Sequence, residues 1–406
     1  MNSSIARRTG FAAVLAISVM FAWPSASALA GPINLSVPKP TGKYRVGTRT
    51  ELAIDRSRDM GFGKPGKRKL MIQLFYPRAI RSRSRGKSLP CLPSDYAPRA
   101  VFKRLQEDTA TAGEVRVKTG VCTGGPLAGG LHPVIVASHA FAANRTLYTS
   151  LAADLASRGF VVAVIDHTYE AFAVRFPAAS LAEGVYGGPI NASDVAPAEL
   201  SELEAVRSDD ASFALTFVNG LSKRKSSPLW RHVDRAHSGI FGHSLGGATS
   251  FEVAHDDARF DASVNLDGEV WNSGLAPTNL ATPHLLLLSE GALRDTFRFT
   301  LACAYYQRLT GPKQALLFTD TKHYAFSDFQ ALAPQILEQD PDWPLGPQLP
   351  GFIGTADPDS TISLERKTLA KFFKFYLGER ESGAPKLASG TELTPFTSPE
   401  CIRTVP

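Results

Sequence analysis

Seven short apolar runs with little or no polar alternation constrain the fold of this chain more than any other feature. They are Leu70–Tyr76 (LMIQLFY), Pro133–Ser138 (PVIVAS), Phe160–Ile165 (FVVAVI), Ser238–Phe241 (SGIF), Ala262–Leu266 (ASVNL), His284–Leu288 (HLLLL) and Ala315–Thr319 (ALLFT). A strand with one wet face alternates apolar and polar residues, whereas a continuous apolar run of this length suits a strand covered on both faces, as parallel strands are. Between the runs lie helical patterns: Leu147–Ser157, ended by Gly159, then Leu200–Leu221, and finally Leu364–Leu377, which stops at Gly378. This order predicts an α/β fold with a mostly parallel central sheet and helices on both faces.

The first thirty residues stand apart from that pattern. Arg7 and Arg8 precede an apolar stretch, Phe11–Phe21, and Ala28-Leu29-Ala30 supplies small residues for cleavage. Residues 1–30 therefore read as a signal peptide, too short in its apolar part to span a bilayer. The mature protein is expected to be secreted or periplasmic. Export gives the four cysteines, Cys91, Cys122, Cys303 and Cys401, an oxidising setting in which disulfides persist. Cys91 with Cys122 is the favoured pair, since both lie in one stretch rich in glycine and proline; no C-x-x-C spacing supports zinc.

Residues 31–406 read as one domain with two departures from the alternation. A basic, loop-rich insertion occupies about 78–130, and a proline-rich apolar segment near 330–360 (PDWPLGPQLPGF) is suited to cover a pocket. Net charge is +6, and falls to +4 once Arg7 and Arg8 leave with the leader. Basic runs at Lys64–Lys69, Arg78–Lys87 and Lys223–Lys225 would suit transient contact with a membrane surface, although solvated loop charge is the usual meaning of such runs. No aromatic interleaving accompanies them, so nucleic acid is not an expected partner. Oligomeric state is not encoded in any of these features.

Two motifs invite chemistry. Gly61-Phe62-Gly63-Lys64-Pro65-Gly66 has dinucleotide-loop spacing, but Pro65 interrupts it and a strand pattern follows where a helix is required. It reads as a turn. Gly242-His243-Ser244-Leu245-Gly246 is G-x-S-x-G, entered from an apolar strand and left through a helix of small residues. That context is what a nucleophile elbow needs: the sharp turn lifts the serine hydroxyl above the sheet, and the flanking glycines allow strand and helix to meet. Ser244 is therefore the candidate nucleophile, with the Leu245 N–H as an oxyanion donor.

A serine hydroxyl needs a base to take its proton. Two histidines lie late enough in the chain, His284 and His323. His284 opens an apolar run and reads as a core residue, which leaves His323, in the loop after the last strand run, as the base. Asp267, Glu290 and Asp295 all follow later strands and remain open as the acid that orients it. His139 and His167 sit at strand ends and read as residues that position loops, and His243 as packing beside the nucleophile. Neither a metal nor a cofactor is required.

The segments HPVIVASHAFAANRTLYTSLAADLASRGFVVAVIDH, IFGHSLGGATS, SVNLDGEVW and HYAFSDF, with RKLMIQLFYP before them, resemble the platelet-activating factor acetylhydrolase family, in its plasma and intracellular isoform II type. The resemblance runs in pieces from Val46 to Gly378 and implies an α/β-hydrolase fold. It implies Asp267 as the acid, His323 as the base and Phe141 as the second oxyanion donor. It also implies short acyl esters as substrates, such as the sn-2 acetyl or oxidised acyl group of a phospholipid. Where that family has glycines around the oxyanion loop, this chain has Ala140 and Ala142, and an alanine there is strained if the loop needs positive φ. A polyester- or cutin-type hydrolase, a general carboxylesterase, a peptidase, and a binding protein on a hydrolase fold are the competing readings.

Overall fold

The computed structural model of the chain describes residues 32–80, 89–177, 180–186, 195–270, 280–294, 300, 303–304, 306–307, 309–378, 385–387 and 392–395. Residues 1–30, read above as a signal peptide, most of the Arg78–Lys87 run, Asp295 and Cys401 lie outside the described residues.

A ten-stranded sheet forms the centre. Its strands are β1 (Arg45–Asp59), β2 (Lys67–Arg78), β3 (Cys122–Thr123), β4 (His132–Ser138), β5 (Val161–Asp166), β6 (Val233–His243), β7 (Ala262–Leu266), β8 (His284–Ser289), β9 (Lys313–Phe318) and β10 (Leu393–Pro395). In space they run β10–β9–β8–β7–β6–β4–β5–β2–β1–β3. The block from β9 to β5 is parallel throughout. Antiparallel partners flank it, β2 against β5 and β10 against β9.

Successive side chains along a strand point to opposite faces, and both faces here are covered. On β4, Val134 and Val136 join one apolar cluster, while Ile135 and Ala137 join another. The first cluster is completed by α3 (Pro197–Leu221) and α4 (Leu245–Asp256), and the second by α2 (Thr149–Ser157) and α6 (Pro358–Leu377). Two-sided burial, at about 1.5–3 kcal/mol for each large aliphatic side chain, is why these strands carry no polar alternation.

Two elements differ from the sequence reading. The long strand β1 forms from a largely polar segment, because it pairs with β2 and many of its side chains face water. The turn joining β1 to β2 contains Gly61, Gly63 and Gly66, all at positive φ, so the glycine motif is a hairpin connection. Helix α6 begins six residues before Leu364, where Asp357 accepts the Ser360 N–H at 2.8 Å and Pro358 fixes the first turn.

The insertion returns to the sheet. Cys91 and Cys122 are bridged, and Cys303 is also disulfide-bonded. Cys122 and Thr123 form the edge strand β3 beside β1. Helix α1 (Arg99–Asp108) and the 330–360 segment, which holds most of α5 (Phe329–Gln339), share a third apolar cluster built on Ile33, Leu35, Tyr96, Ile336 and Trp343. Within it the Trp343 Nε1–H donates to the Thr109 carbonyl at 2.8 Å. The segment packs behind the turn that carries His323, with Phe352 and Phe329 against the Tyr324 ring.

Candidate active site

Strand β6 delivers its chain directly into Ser244, which takes φ 57° and ψ −124° before α4 begins. The close meeting of strand and helix dictates the flanking glycines. A Cβ on Gly242 would lie 1.9 Å from the Gly246 carbonyl oxygen, and one on Gly246 would lie 2.2 Å from that of Ser138. Ser244 therefore stands at the carboxyl edge of the sheet, beside the end of β4.

Three side chains of the sequence reading meet here. The His323 Nε2 is 2.9 Å from the Ser244 Oγ, and its Nδ1 is 2.7 Å from the Asp267 Oδ2. The carboxylate can only accept, so Nδ1 carries the proton and Nε2 faces the hydroxyl as a base. Asp267 is buried just after β7, and Ser289 also holds its carboxylate. The Ser289 N–H donates to Oδ1 at 2.8 Å, and its hydroxyl to Oδ2 at 2.9 Å. Asn265 holds the turn after the acid, accepting the Gly268 N–H and donating to the Gly268 carbonyl.

Glu290 is directed elsewhere. It pairs with Arg294 and accepts the Asp320 N–H at 2.7 Å, which lowers its carboxyl below the usual range. His284 is buried with Nδ1 at 2.6 Å from the Ser263 hydroxyl, and burial pushes it down to about 3. It is a core residue.

Leu245 follows Ser244 directly, and Phe141 packs in one apolar cluster with it. The Leu245 N–H belongs to the first turn of α4, whose donors have no partner inside the helix. Phe141 lies in the loop after β4, its ring against Tyr186 at 4.9 Å, within an apolar wall that includes Leu245 and Leu200. Ala142 has φ 50°, so the loop does need a left-handed residue and an alanine supplies it.

His243 does more than pack beside the nucleophile. The Ala140 N–H donates to the Tyr148 hydroxyl, which lies 2.9 Å from the His243 Nδ1; the His243 Nε2 lies 2.9 Å from the His323 carbonyl. That carbonyl can only accept, so Nε2 carries the proton and the Tyr148 O–H donates to Nδ1. One directed chain thus ties the loop bearing Phe141 to the turn bearing the base. Tyr148, Asn265 and Ser289 gave no sequence signal as site residues, because each meets the site only through the fold. His139 and His167 are fully buried beneath the same loop, with burial as the main cause holding both imidazoles well below their ordinary range. Among the described residues, no cluster of His, Cys, Asp and Glu could hold a metal ion.

A mostly parallel sheet wrapped on both faces, with this array at its carboxyl edge, is an α/β-hydrolase fold, and the likeness to known esterases makes the chain an ester hydrolase. Residues 31–180 match the family model of platelet-activating factor acetylhydrolase, isoform II, and residues 198–333 match that of the PET hydrolase-like proteins. A protein of Arthroderma benhamiae named "Probable 1-alkyl-2-acetylglycerophosphocholine esterase" is 27% identical over 321 residues, 74% of this chain and 78% of that one. The platelet-activating factor acetylhydrolase of Cavia porcellus is 24% identical over 262 residues, which span 61% of this chain and 58% of that protein. Among solved structures, a ferulic acid esterase from Streptomyces cinnamoneus superposes with a TM-score of 0.72 at 29% identity, covering 89% of this chain and 99% of the other. These matches relate the chain to the platelet-activating factor acetylhydrolases.

Proposed function

We propose that this chain is an exported serine esterase that cleaves short acyl esters through Ser244, His323 and Asp267. The observation that carries this reading is the continuous hydrogen-bonded line from Asp267 through His323 to Ser244 at the elbow. His323 takes the hydroxyl proton as Ser244 Oγ attacks the ester carbonyl. The oxyanion forms between the N–H groups of Leu245 and Phe141. Collapse expels the alcohol, which receives the proton from His323 and leaves an acyl-serine. Water then attacks the acyl carbonyl as it gives a proton to His323; the acyl–Oγ bond breaks, Oγ takes that proton back from His323, and the carboxylic acid leaves. Asp267 stabilises the imidazolium at both stages.

Export is supported by the leader pattern in residues 1–30 and by the Cys91–Cys122 bridge. A short sn-2 acyl group on a phospholipid is supported by the names of the acetylhydrolase relatives. A second reading, aromatic or polymeric esters, is favoured by the match over residues 198–333 and by the ferulic acid esterase likeness.

The test is hydrolysis of p-nitrophenyl acetate, butyrate and palmitate by the mature protein beside Ser244→Ala. The proposal expects the acetate to be fastest and palmitate weak, with Ser244→Ala slower by about 10⁴-fold or more. Activity that survives Ser244→Ala overturns the site. Preference for palmitate overturns the short-acyl reading. A 2-acetyl phospholipid assayed beside methyl ferulate and a polyester film then separates the two substrate classes.

A further inference from the structure

The loop that carries Phe141 has no glycine, yet Ala142 sits at φ 50°, a conformation that L-residues avoid. Something must hold it. The Ala142 N–H donates to the Glu170 Oε1 at 2.7 Å. The Glu170 Oε2 accepts from the Arg207 Nη2 at 2.6 Å. The same guanidinium reaches the loop directly, donating to the His139 carbonyl at 2.7 Å and to the Ala140 carbonyl at 3.3 Å. The peptide groups on both sides of Phe141 are thereby gripped, one by a carboxylate and the others by its partner cation. Both side chains are 1% exposed, so these contacts operate away from water.

The pair is anchored in turn. The Arg207 Nη1 also donates to the Ser138 hydroxyl at 3.1 Å. That hydroxyl lies 2.9 Å from the His167 Nε2, and the His167 Nδ1 lies 3.0 Å from Asp210. Asp210 takes a two-pronged contact from Arg68, at 3.0 and 2.5 Å. With Nδ1 donating to the carboxylate, the His167 Nε2 accepts the Ser138 proton. Glu204, Arg207 and Asp210 occupy the buried stripe of α3, among Leu203, Ala211, Ala214 and Leu215. Burying charges there costs stability unless each is paired. Arg207 is paired with Glu170 beneath the loop that carries Phe141, and Asp210 with Arg68.

We infer that Glu170 and Arg207 are positioning residues for the oxyanion site, holding the strained Ala140–Ala142 turn so that the Phe141 N–H points at the developing oxyanion. The inference rests on the esterase reading above. A misaimed donor weakens the transition state while leaving ground-state binding nearly intact, so the loss falls on kcat.

Glu170→Gln removes the charge opposite Arg207, and Arg207→Lys keeps a cation but loses the fork that spans two carbonyls. Glu170→Asp retains both charges and withdraws the carboxylate from the Ala142 N–H by one methylene, so it reports even where the other two do not fold. Active sites are counted by exhaustive labelling with a fluorophosphonate, and kcat, KM and the Ki of a trifluoromethyl ketone are measured per active site. Expected is a fall in kcat of about 10- to 10²-fold with KM within threefold, and a ketone affinity that falls by the same factor as kcat. A residue that only supports the fold would reduce the number of active sites and leave these constants alone. Unchanged kcat per site in folded Glu170→Asp and Arg207→Lys overturns the inference. So does lost kcat with unchanged ketone affinity. Ser244→Ala, run alongside, separates the two proposals: if it abolishes turnover while the Glu170 and Arg207 variants behave as wild type, only the positioning role fails.

Discussion

Replacing Asp267 with asparagine tests the site at its most geometrically determined atom. The side chain keeps its shape, but one of its two acceptor oxygens becomes an NH2 donor. The Ser289 backbone N–H, 2.8 Å from Oδ1, settles which one. A donor placed there would face another donor, so the amide oxygen stays against Ser289 and the NH2 turns toward His323. The imidazole can meet that NH2 only with an unprotonated Nδ1, which moves its proton to Nε2. Nε2 then points an N–H at the Ser244 hydroxyl and cannot accept its proton. The expected loss is about 10⁴-fold in kcat, or about 5 kcal/mol of transition-state stabilisation. Stopped-flow hydrolysis of p-nitrophenyl acetate, normalised to titrated active sites, reads this directly. Glu290→Gln is the control and should stay within about threefold of wild type, since that carboxylate is engaged with Arg294 and Asp320. A loss smaller than tenfold for Asp267→Asn, or a larger one for Glu290→Gln, would refute the assignment of the acid.

Gly246→Ala should lower kcat about 10²-fold in the same assay, because the new Cβ would press on the Ser138 and His139 carbonyl oxygens, at 2.2 and 2.6 Å, and displace the loop bearing Phe141 by about 1 Å. An unaffected kcat would show that the loop gives way without consequence. Stability should also fall as pH rises from about 7 to 8. Burial pushes Glu365 up to about 8 and Asp328 up to about 6, against ordinary values of 4.5 and 3.8. Above those ordinary values the unfolded chain has shed protons that the folded protein keeps, so each group costs up to about 1.4 kcal/mol per pH unit until its folded value is passed. Calorimetry should find Tm decreasing from pH 7 to 8, above the range in which the buried His139, His167 and His284 take up protons on unfolding, with Glu365→Gln flattening the decline and melting higher than wild type at pH 8. An identical slope in the variant would contradict this.

What the sequence made legible was whatever depends on near neighbours in the chain. The apolar runs announced strands covered on both faces, and the elbow is a local arrangement of strand, turn and helix, so Ser244 and Leu245 could be read from one stretch. His323 followed because chain order left no rival outside the core. The acid was harder, since Asp267, Glu290 and Asp295 all follow strands; the His323 contact sets Asp267 apart from Glu290, and Asp295 lies outside the described residues. Strand β1 was hidden by its polar, water-facing side chains. Glu170 and Arg207 were hidden for a different reason: they act on a loop that precedes both of them, through contacts only tertiary structure creates. A signal did exist for Arg207, since Glu204, Arg207 and Asp210 recur every three residues on the apolar stripe of a helix. Charges there mean buried partners.

The most direct test of the account is covalent trapping of the nucleophile. The protein is incubated with a p-nitrophenyl alkylphosphonate, digested and sequenced by mass spectrometry. The account predicts about one phosphonyl group per chain, attached to Ser244, with p-nitrophenol released in equal amount and ester hydrolysis lost in step. Modification of another residue with loss of activity, or continued hydrolysis with Ser244 fully labelled, would contradict it.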